Sequence, residues 1–159
     1  MRLHCFLLMV TLLASPLQAE DSRAPSAPGG TQLAGVDRIR LLPPGDGNPR
    51  NSEGDFIALK DGRILFAYSH FTGGGSDHAA AHIAGRYSDD GGRTWTNKDV
   101  VIVPCEGGFN VMSVSLLRLQ DGRIALFYLR KNSLVDCRPM MRISRDGGQT
   151  WSEPVLCIN

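Results

Sequence analysis

The sequence predicts an all-β fold built from repeated four-stranded antiparallel units, on the strength of three observations. Gly occurs 18 times in 159 residues, above its usual share of about 7%, as expected for a chain with many tight turns. An apolar, Asp-Gly, apolar segment occurs twice, and a second motif that ends in Thr-Trp also occurs twice. Because each copy alternates short strands with turns, we expect two units of four strands.

The first repeated feature is a β-hairpin. Residues 56–68 recur sixty positions later as residues 116–128, with Asp-Gly between two apolar runs in both copies. A two-residue turn of the favoured hand requires positive φ at its centre, which Asp-Gly tolerates. Each copy is therefore predicted to be two strands joined by a two-residue turn.

The second repeated feature closes another hairpin in each unit. Residues 88–95 and 144–151 both fit Ser-x-Asp-x-Gly-x-Thr-Trp. We expect the Ser and Asp side chains to bond backbone groups of the turn, the glycine to adopt a left-handed conformation and the Trp to cover the apolar side. The motif positions are Ser88, Asp90, Gly92, Thr94, Trp95, Ser144, Asp146, Gly148, Thr150 and Trp151.

This motif resembles the Asp-box, or bacterial neuraminidase repeat (BNR), of the sialidase (neuraminidase) superfamily, and the chain is similar to bacterial exo-α-sialidases over residues 36–159. The resemblance implies a partial six-bladed β-propeller of sialidase type, with about two four-stranded blades present. The chain is thus expected to be the N-terminal part of a larger ring, with exposed strand edges when alone. Asp boxes in this superfamily staple turns remote from the active site, so a structural role is expected for them.

The N-terminus is predicted to be a targeting segment. Residues 1–19 have a basic start, an apolar run and a small residue before Glu20, as in a secretory signal peptide. The alternative, a membrane anchor, needs an apolar run of roughly 20 residues, and this one is shorter. We therefore expect a secreted or periplasmic protein without a membrane span in the mature chain, and a flexible linker over residues 20–35.

Charge and cysteine content exclude several classes of function. Lys and Arg number 17 and Asp and Glu 16, so the charge of +1 provides no large positive field for nucleic acid. The spacing of Cys105, Cys137 and Cys157 matches no zinc pattern. We expect these cysteines to be small buried residues, at least one of them unpaired, and we expect no metal and no cofactor.

The strand order predicts which loops carry function. If Asp-Gly turns and Asp boxes share one end, loops 45–55, 69–80, 103–113 and 130–138 lie at the other. Asp77 then takes the place of the general acid in the resembled superfamily, between the second and third strands. That role, protonation of the leaving glycosidic oxygen, requires a raised pKa. The alternative is a solvated loop aspartate.

The resemblance also implies arginines that bind the carboxylate of sialic acid. Arg50 is the candidate for the first of them. The second is missing, and His70, which can hold a carboxylate when protonated, is nearest to its place. Arg130 and Arg138 are further candidates for lining the pocket, with surface charge pairs as the alternative. The catalytic Tyr and Glu of the superfamily are expected beyond residue 159. Tyr68, Tyr87 and Tyr128 are expected to pack in the core or to expose only the phenolic hydroxyl.

Two functions follow from the resemblance. The first is a glycoside hydrolase of the exo-α-sialidase type that cleaves terminal sialic acid or a related sugar from a glycan or sialoglycoconjugate. It would be active at full length and inactive as these two blades alone. The second is a non-catalytic Asp-box propeller that binds glycans or proteins.

Overall fold

The computed structural model describes residue 35 and residues 38–158, and it is all-β over this part of the chain. The predicted signal peptide, residues 1–19, and nearly all of the predicted linker lie outside the described residues. Arg38–Asn159 forms one compact unit. Nowhere in the described part does a helix have the length and apolar character needed to cross a bilayer.

Within residues 38–158, eight strands form two four-stranded antiparallel sheets. They are β1 (Arg50–Ala58), β2 (Ile64–Phe71), β3 (Ala81–Ser88), β4 (Val100–Val103), β5 (Asn110–Arg118), β6 (Ile124–Lys131), β7 (Cys137–Ser144) and β8 (Val155–Leu156). The first four strands pair in sequence order, and so do the last four. We call these sheets blade 1 and blade 2. The fold class and the two four-stranded units predicted from the repeats are confirmed.

The Asp-Gly hairpins form as predicted, but with a different turn. In blade 1 the Leu59 N–H donates to the Arg63 carbonyl at 2.7 Å and Gly62 has φ of 89°. The loop thus has three residues, a type I turn followed by a left-handed glycine, and only the glycine needs positive φ. Asp61 accepts bonds from the backbone and the side chain of Arg63. Blade 2 repeats all of these bonds, and the two-residue turn was therefore wrong.

Each blade begins with a bulged strand. β1 starts at Arg50, so residues 50–55 belong to a strand and not to the predicted loop. The pairing with β2 shifts at Glu53, which has φ of 27°. Sixty positions later Ser113 has φ of 62° at the bulge of β5. The bulge absorbs an extra residue at the same place in the first strand of both blades.

The core lies between the two blades. Strand β5 packs across β1, β2 and β3 of blade 1, and buried side chains of both sheets form one apolar cluster. Its members include Leu65, Ala67, Ile83, Val103, Val111, Ile124, Leu126, Tyr128 and Met140. Burial of each large side chain contributes about 1.5–3 kcal/mol, so the packed sheets act as one stable unit.

Polar bonds also join the blades. The Leu116 N–H donates to Asp55 Oδ2 at 2.8 Å, and the Ser113 N–H donates to Ser69 Oγ at 3.0 Å. Ser69 is fully buried, so its hydroxyl requires such a partner. These bonds fix the relative position of the two sheets beyond what apolar packing requires.

The cysteine prediction was wrong for burial. Cys105, Cys137 and Cys157 are all exposed, and each is a free thiol in the structure. Cys105 and Cys137 lie where a strand meets a loop of the sheet, so their side chains do not reach the core. The tyrosine prediction is confirmed for Tyr68 and Tyr128, which are almost fully buried.

Candidate functional site

The two ends of the blades differ in their loops. The Asp-Gly turns and the Asp boxes lie together at one end, and a groove there is lined by residues of the first Asp-Gly turn and the second Asp box. The other end, which we call the loop end, carries the connections 72–80, 104–109 and 132–136. The candidate residues Arg50, His70, Asp77, Arg130 and Arg138 all lie at or next to the loop end, which is where the strand order places them.

The Asp boxes have the predicted local geometry. In blade 1 the Ser88 hydroxyl donates to Asp90 Oδ1 at 2.9 Å and accepts from the Gly92 N–H at 2.8 Å. Asp90 also accepts from the backbone and the hydroxyl of Thr94, at 2.8 and 2.6 Å. The Trp95 indole donates to the Gly92 carbonyl at 2.9 Å. Every bond closes within the motif, which makes it a staple for the turn.

The second Asp box repeats this network. Ser144 donates to Asp146 at 2.9 Å and accepts from the Gly148 N–H at 2.8 Å. Hydrogen bonds from the threonine lower the pKa of both motif aspartates to about 2. The Gly148 carbonyl accepts a bond from the Tyr87 hydroxyl at 3.3 Å, so the second Asp box also contacts blade 1.

Arg50 is held in a fixed orientation at the loop end. Its guanidinium lies 4.4 Å from the centre of the Phe71 ring, the partner of Arg50 across the β1–β2 pairing. Nη1 donates to the Gly75 carbonyl at 3.2 Å and to Asp77 Oδ1 at 2.5 Å. Nη2 lies 3.7 Å from Glu53. An aromatic face and several acceptors thus orient a guanidinium that is still partly exposed.

Asp77 lies in the β2–β3 loop, and its side chain is 60% exposed. The Arg50 guanidinium holds the pKa of the Asp77 carboxyl below its usual value. Asp77 is therefore ionised at neutral pH in the free protein. The structure brings Arg50 and Asp77 into contact at the loop end, and the role of Asp77 as an acid remains a prediction.

His70 lies apart from this pair. The residues on either side of His70 in β2 point toward blade 2, so His70 lies on the opposite face of the strand. There its ring stacks on the ring of His82, its partner in β3, with the ring centroids 4.5 Å apart. Nδ1 is 3.2 Å from Asp99, which also accepts from Arg86 at 2.7 Å. Burial and the Asp99 carboxylate raise the pKa of Tyr68 in the same cluster. His70 is thus engaged by an internal carboxylate and does not adjoin Arg50.

Arg130 and Arg138 are partners across the β6–β7 pairing. The Arg130 Nε atom is buried without a hydrogen-bond partner among the described residues. Arg138 is half exposed and forms an ion pair with Asp136 at 2.8 Å. Arg138 therefore forms the surface charge pair that was the alternative to a pocket role. Arg130, in contrast, has an N–H group at the loop end that makes no hydrogen bond among the described residues.

The structure shows contacts for residues that no sequence motif ranked as part of the site. Lys131 and His78 contribute to the lowered pKa of Asp77, and the His78 ring lies 5.8 Å from Phe109. Asn110 donates hydrogen bonds to two carbonyls of the β2–β3 loop, residues 72–80, which we call the acid loop. Lys131 lies sixty positions after Phe71 and so occupies in blade 2 the place that Phe71, the partner of Arg50, occupies in blade 1. The sixty-residue repeat is the only sequence signal that could have indicated it. Nothing in the local sequence distinguishes Asn110 from other loop residues.

Comparison with known proteins agrees with this geometry. The BNR/Asp-box repeat family matches the chain at residues 86–97 and 142–153, which are the two Asp boxes with the arginine that precedes each. No curated protein matches the chain.

Within the described residues no group of three or more His, Cys, Asp or Glu side chains is arranged to hold a metal ion.

Several solved structures share the fold. The Hadza microbial sialidase Hz136 is 16% identical with a TM-score of 0.56, over 70% of this chain and 26% of its own. A Trypanosoma rangeli sialidase in complex with 2,3-difluorosialic acid is 14% identical with a TM-score of 0.53, over 67% and 20%. Zg3597, a family 117 glycoside hydrolase from Zobellia galactanivorans, is 16% identical with a TM-score of 0.56, over 73% and 41%.

The chain therefore spans between a fifth and about two fifths of the length of these structures. At such identities the likeness concerns the fold, and it covers both blades. The chain thus carries two BNR/Asp-box repeats on two antiparallel four-stranded blades, in a fold that it shares with solved sialidase structures.

Proposed function

We propose that the protein is a glycoside hydrolase of the exo-α-sialidase type that releases terminal sialic acid or a related acidic sugar from a glycan. The observation that carries this proposal is the contact of 2.5 Å between Arg50 and Asp77 at the loop end. A guanidinium that is oriented and partly exposed suits a sugar carboxylate. A carboxyl group beside it suits protonation of the leaving oxygen.

The ion pair offers a route by which substrate would prepare the acid. A sugar carboxylate that binds Arg50 competes with Asp77 for the same guanidinium. Asp77 then loses its cationic partner and gains a negative neighbour, and both changes raise its pKa. The acid would become protonated in the complex, where the leaving oxygen needs a proton, although it is ionised in the free protein. Arg130, Arg138 and His70 remain candidates for further substrate contacts.

The test compares two sialosides that differ in their leaving group. Sialyllactose has a poor leaving group that requires protonation, whereas an aryl sialoside has a good one that requires little. With the full-length protein, Asp77→Asn should lower kcat for sialyllactose by about 10²–10⁴-fold and lower kcat for the aryl sialoside much less. Asp89→Asn, at an exposed variable position of the first Asp box, is the matched control and should retain both rates. Equal losses on both substrates, or none, would contradict the assignment of Asp77.

One observation favours a second function, a non-catalytic glycan-binding propeller. Asp77 is ionised and paired with Arg50 in the free protein, an arrangement that also serves binding without chemistry. Under this alternative the wild-type protein binds sialyllactose and releases no sialic acid on prolonged incubation. Detection of free sialic acid, and its loss in Asp77→Asn, would decide for the hydrolase.

We also propose that the protein is secreted or periplasmic, because residues 1–19 have the pattern of a signal peptide. Sequencing of the exported protein should give Glu20 as its first residue. A product that begins at Met1 would contradict the proposal.

A further inference from the structure

A buried amide connects blade 2 to the loop that carries Asp77. Asn110, the first residue of β5, is fully buried. Its Nδ2 donates to the Asp77 carbonyl at 3.0 Å and to the Ala79 carbonyl at 2.9 Å. Both hydrogens of the amide are thus used on one loop of the neighbouring blade, on either side of His78.

These bonds hold the backbone of 76–79, whereas Arg50 bonds the Gly75 carbonyl and the Asp77 side chain. The N–H groups of Thr72 and Gly73 donate to the Ala80 carbonyl, which closes the loop at its base. The Ala79 N–H donates to the Ser76 carbonyl within the loop. Among the described residues, Asn110 provides the only hydrogen bonds that reach the backbone of 76–79 from outside the loop.

The chemistry of the contact requires an amide. Asn110 Oδ1 has no hydrogen-bond partner among the described residues, so the side chain acts through its N–H groups alone. Leucine would fill a similar volume but leave two loop carbonyls without a donor. An ionised aspartate would direct acceptors at acceptors. Loss of either hydrogen bond costs more in this buried position than at the surface, because water cannot reach the carbonyl that is left without a donor.

We propose that Asn110 is a positioning residue that clamps the backbone of 76–79 and so directs the Asp77 carboxylate toward Arg50. The catalytic consequence rests on the proposed function, whereas the placement of Asp77 can be measured without any activity. Through this clamp the packing of blade 2 against blade 1 fixes the geometry of the candidate acid. A displacement of about 1 Å at such a group lowers the rate of a reaction about 100-fold.

The test is a carbon NMR titration of the aspartate carboxyl groups in the purified full-length protein. In the wild type the Asp77 midpoint lies below its ordinary value because of Arg50. Asn110→Leu should raise this midpoint toward the ordinary value, as Arg50→Ala should. Asp90 and Asp146 titrate at about 2 and report in the same spectra whether the fold persists. If Asn110→Leu shifts these two as well, Asn110→Ser is measured in its place.

The matched control is Asn132→Ala. Asn132 donates to Asp136 within the β6–β7 loop at 3.0 Å and makes no bond to the acid loop, so the Asp77 midpoint should not change. A wild-type Asp77 midpoint in a folded Asn110 variant would overturn the inference.

Kinetics separate this inference from the proposed function. In the hydrolase, Asn110→Leu should lower kcat for sialyllactose about 100-fold and change KM less than threefold, because Arg50 keeps its stack on Phe71. A wild-type protein without hydrolysis but with the expected titration would refute the function and support the clamp. A kcat that is unchanged in Asn110→Leu while Asp77→Asn is inactive would refute the clamp alone.

Discussion

Removal of one buried hydroxyl from an Asp box should destabilise the whole unit. Ser144 is 1% exposed, donates to Asp146 and accepts from the buried Gly148 N–H at 2.8 Å. Ser144→Ala leaves that N–H without an acceptor, at a cost of about 1–3 kcal/mol. The bond to Asp146 adds little, because water can replace it on an exposed carboxylate. We expect the free energy of unfolding to fall by about 2 kcal/mol, which is about 8 °C in Tm at roughly 4 °C per kcal/mol.

The assay is equilibrium urea unfolding followed by circular dichroism. Ser88→Ala should give a smaller loss, because its two bonds have the same lengths as those of Ser144 but the abandoned Gly92 N–H is only partly buried. Ser115→Ala removes an exposed hydroxyl from strand β5 and should change the free energy by less than about 0.5 kcal/mol. If Ser144→Ala falls within the range of Ser115→Ala at an unchanged m-value, the Asp box does not staple the turn as argued.

Two further predictions concern the same motifs. Gly147 and Gly148 both have positive φ, 74° and 86°, so alanine at either costs about 1–2 kcal/mol of strain. Gly148→Ala should cost more, by about 1–3 kcal/mol, since its Cβ would lie 2.8 Å from Leu65 Cδ2 while nothing lies within 4 Å at Gly147; equal thermal shifts would contradict this packing. The pKa values of Asp90 and Asp146 fall from 3.8 to about 2 on folding, so their stabilisation is full above pH 4 and is lost as pH falls toward 2. Urea midpoints measured across that range should decline in the wild type and less steeply in the Asp90→Asn, Asp146→Asn double variant, and parallel slopes would refute the linkage.

The Asp box could be read from the sequence because its bonds are local. Ser88, Asp90 and Thr94 contact one another within a few residues, and their spacing alone brings donor and acceptor together. The order of the strands could also be predicted from the sequence, because strands joined by short turns pair with their neighbours in the chain. The length of the Asp-Gly turn was mispredicted, because the register of the flanking strands decides whether the loop has two residues or three.

The candidate site was less accessible to sequence reasoning because its contacts are long-range. Arg50 and Asp77 were expected at the same end of the blades, but no sequence pattern predicted their contact. The engagement of His70 by Asp99 depends on which face of β2 the ring occupies, and on the return of the chain after the Asp box. Asn110 reaches a loop more than thirty positions away and belongs to no motif. Side chains that act between blades leave no local pattern.

Chemical-shift mapping tests the central claim, that the loop end and not the Asp-box end binds the glycan. The full-length protein, labelled with nitrogen-15, is titrated with sialyllactose. We expect amide shifts in residues 72–80 and around Arg50, with none in 88–95 or 144–151. Shifts confined to the Asp boxes, or the absence of any shift at saturating sugar, would contradict it.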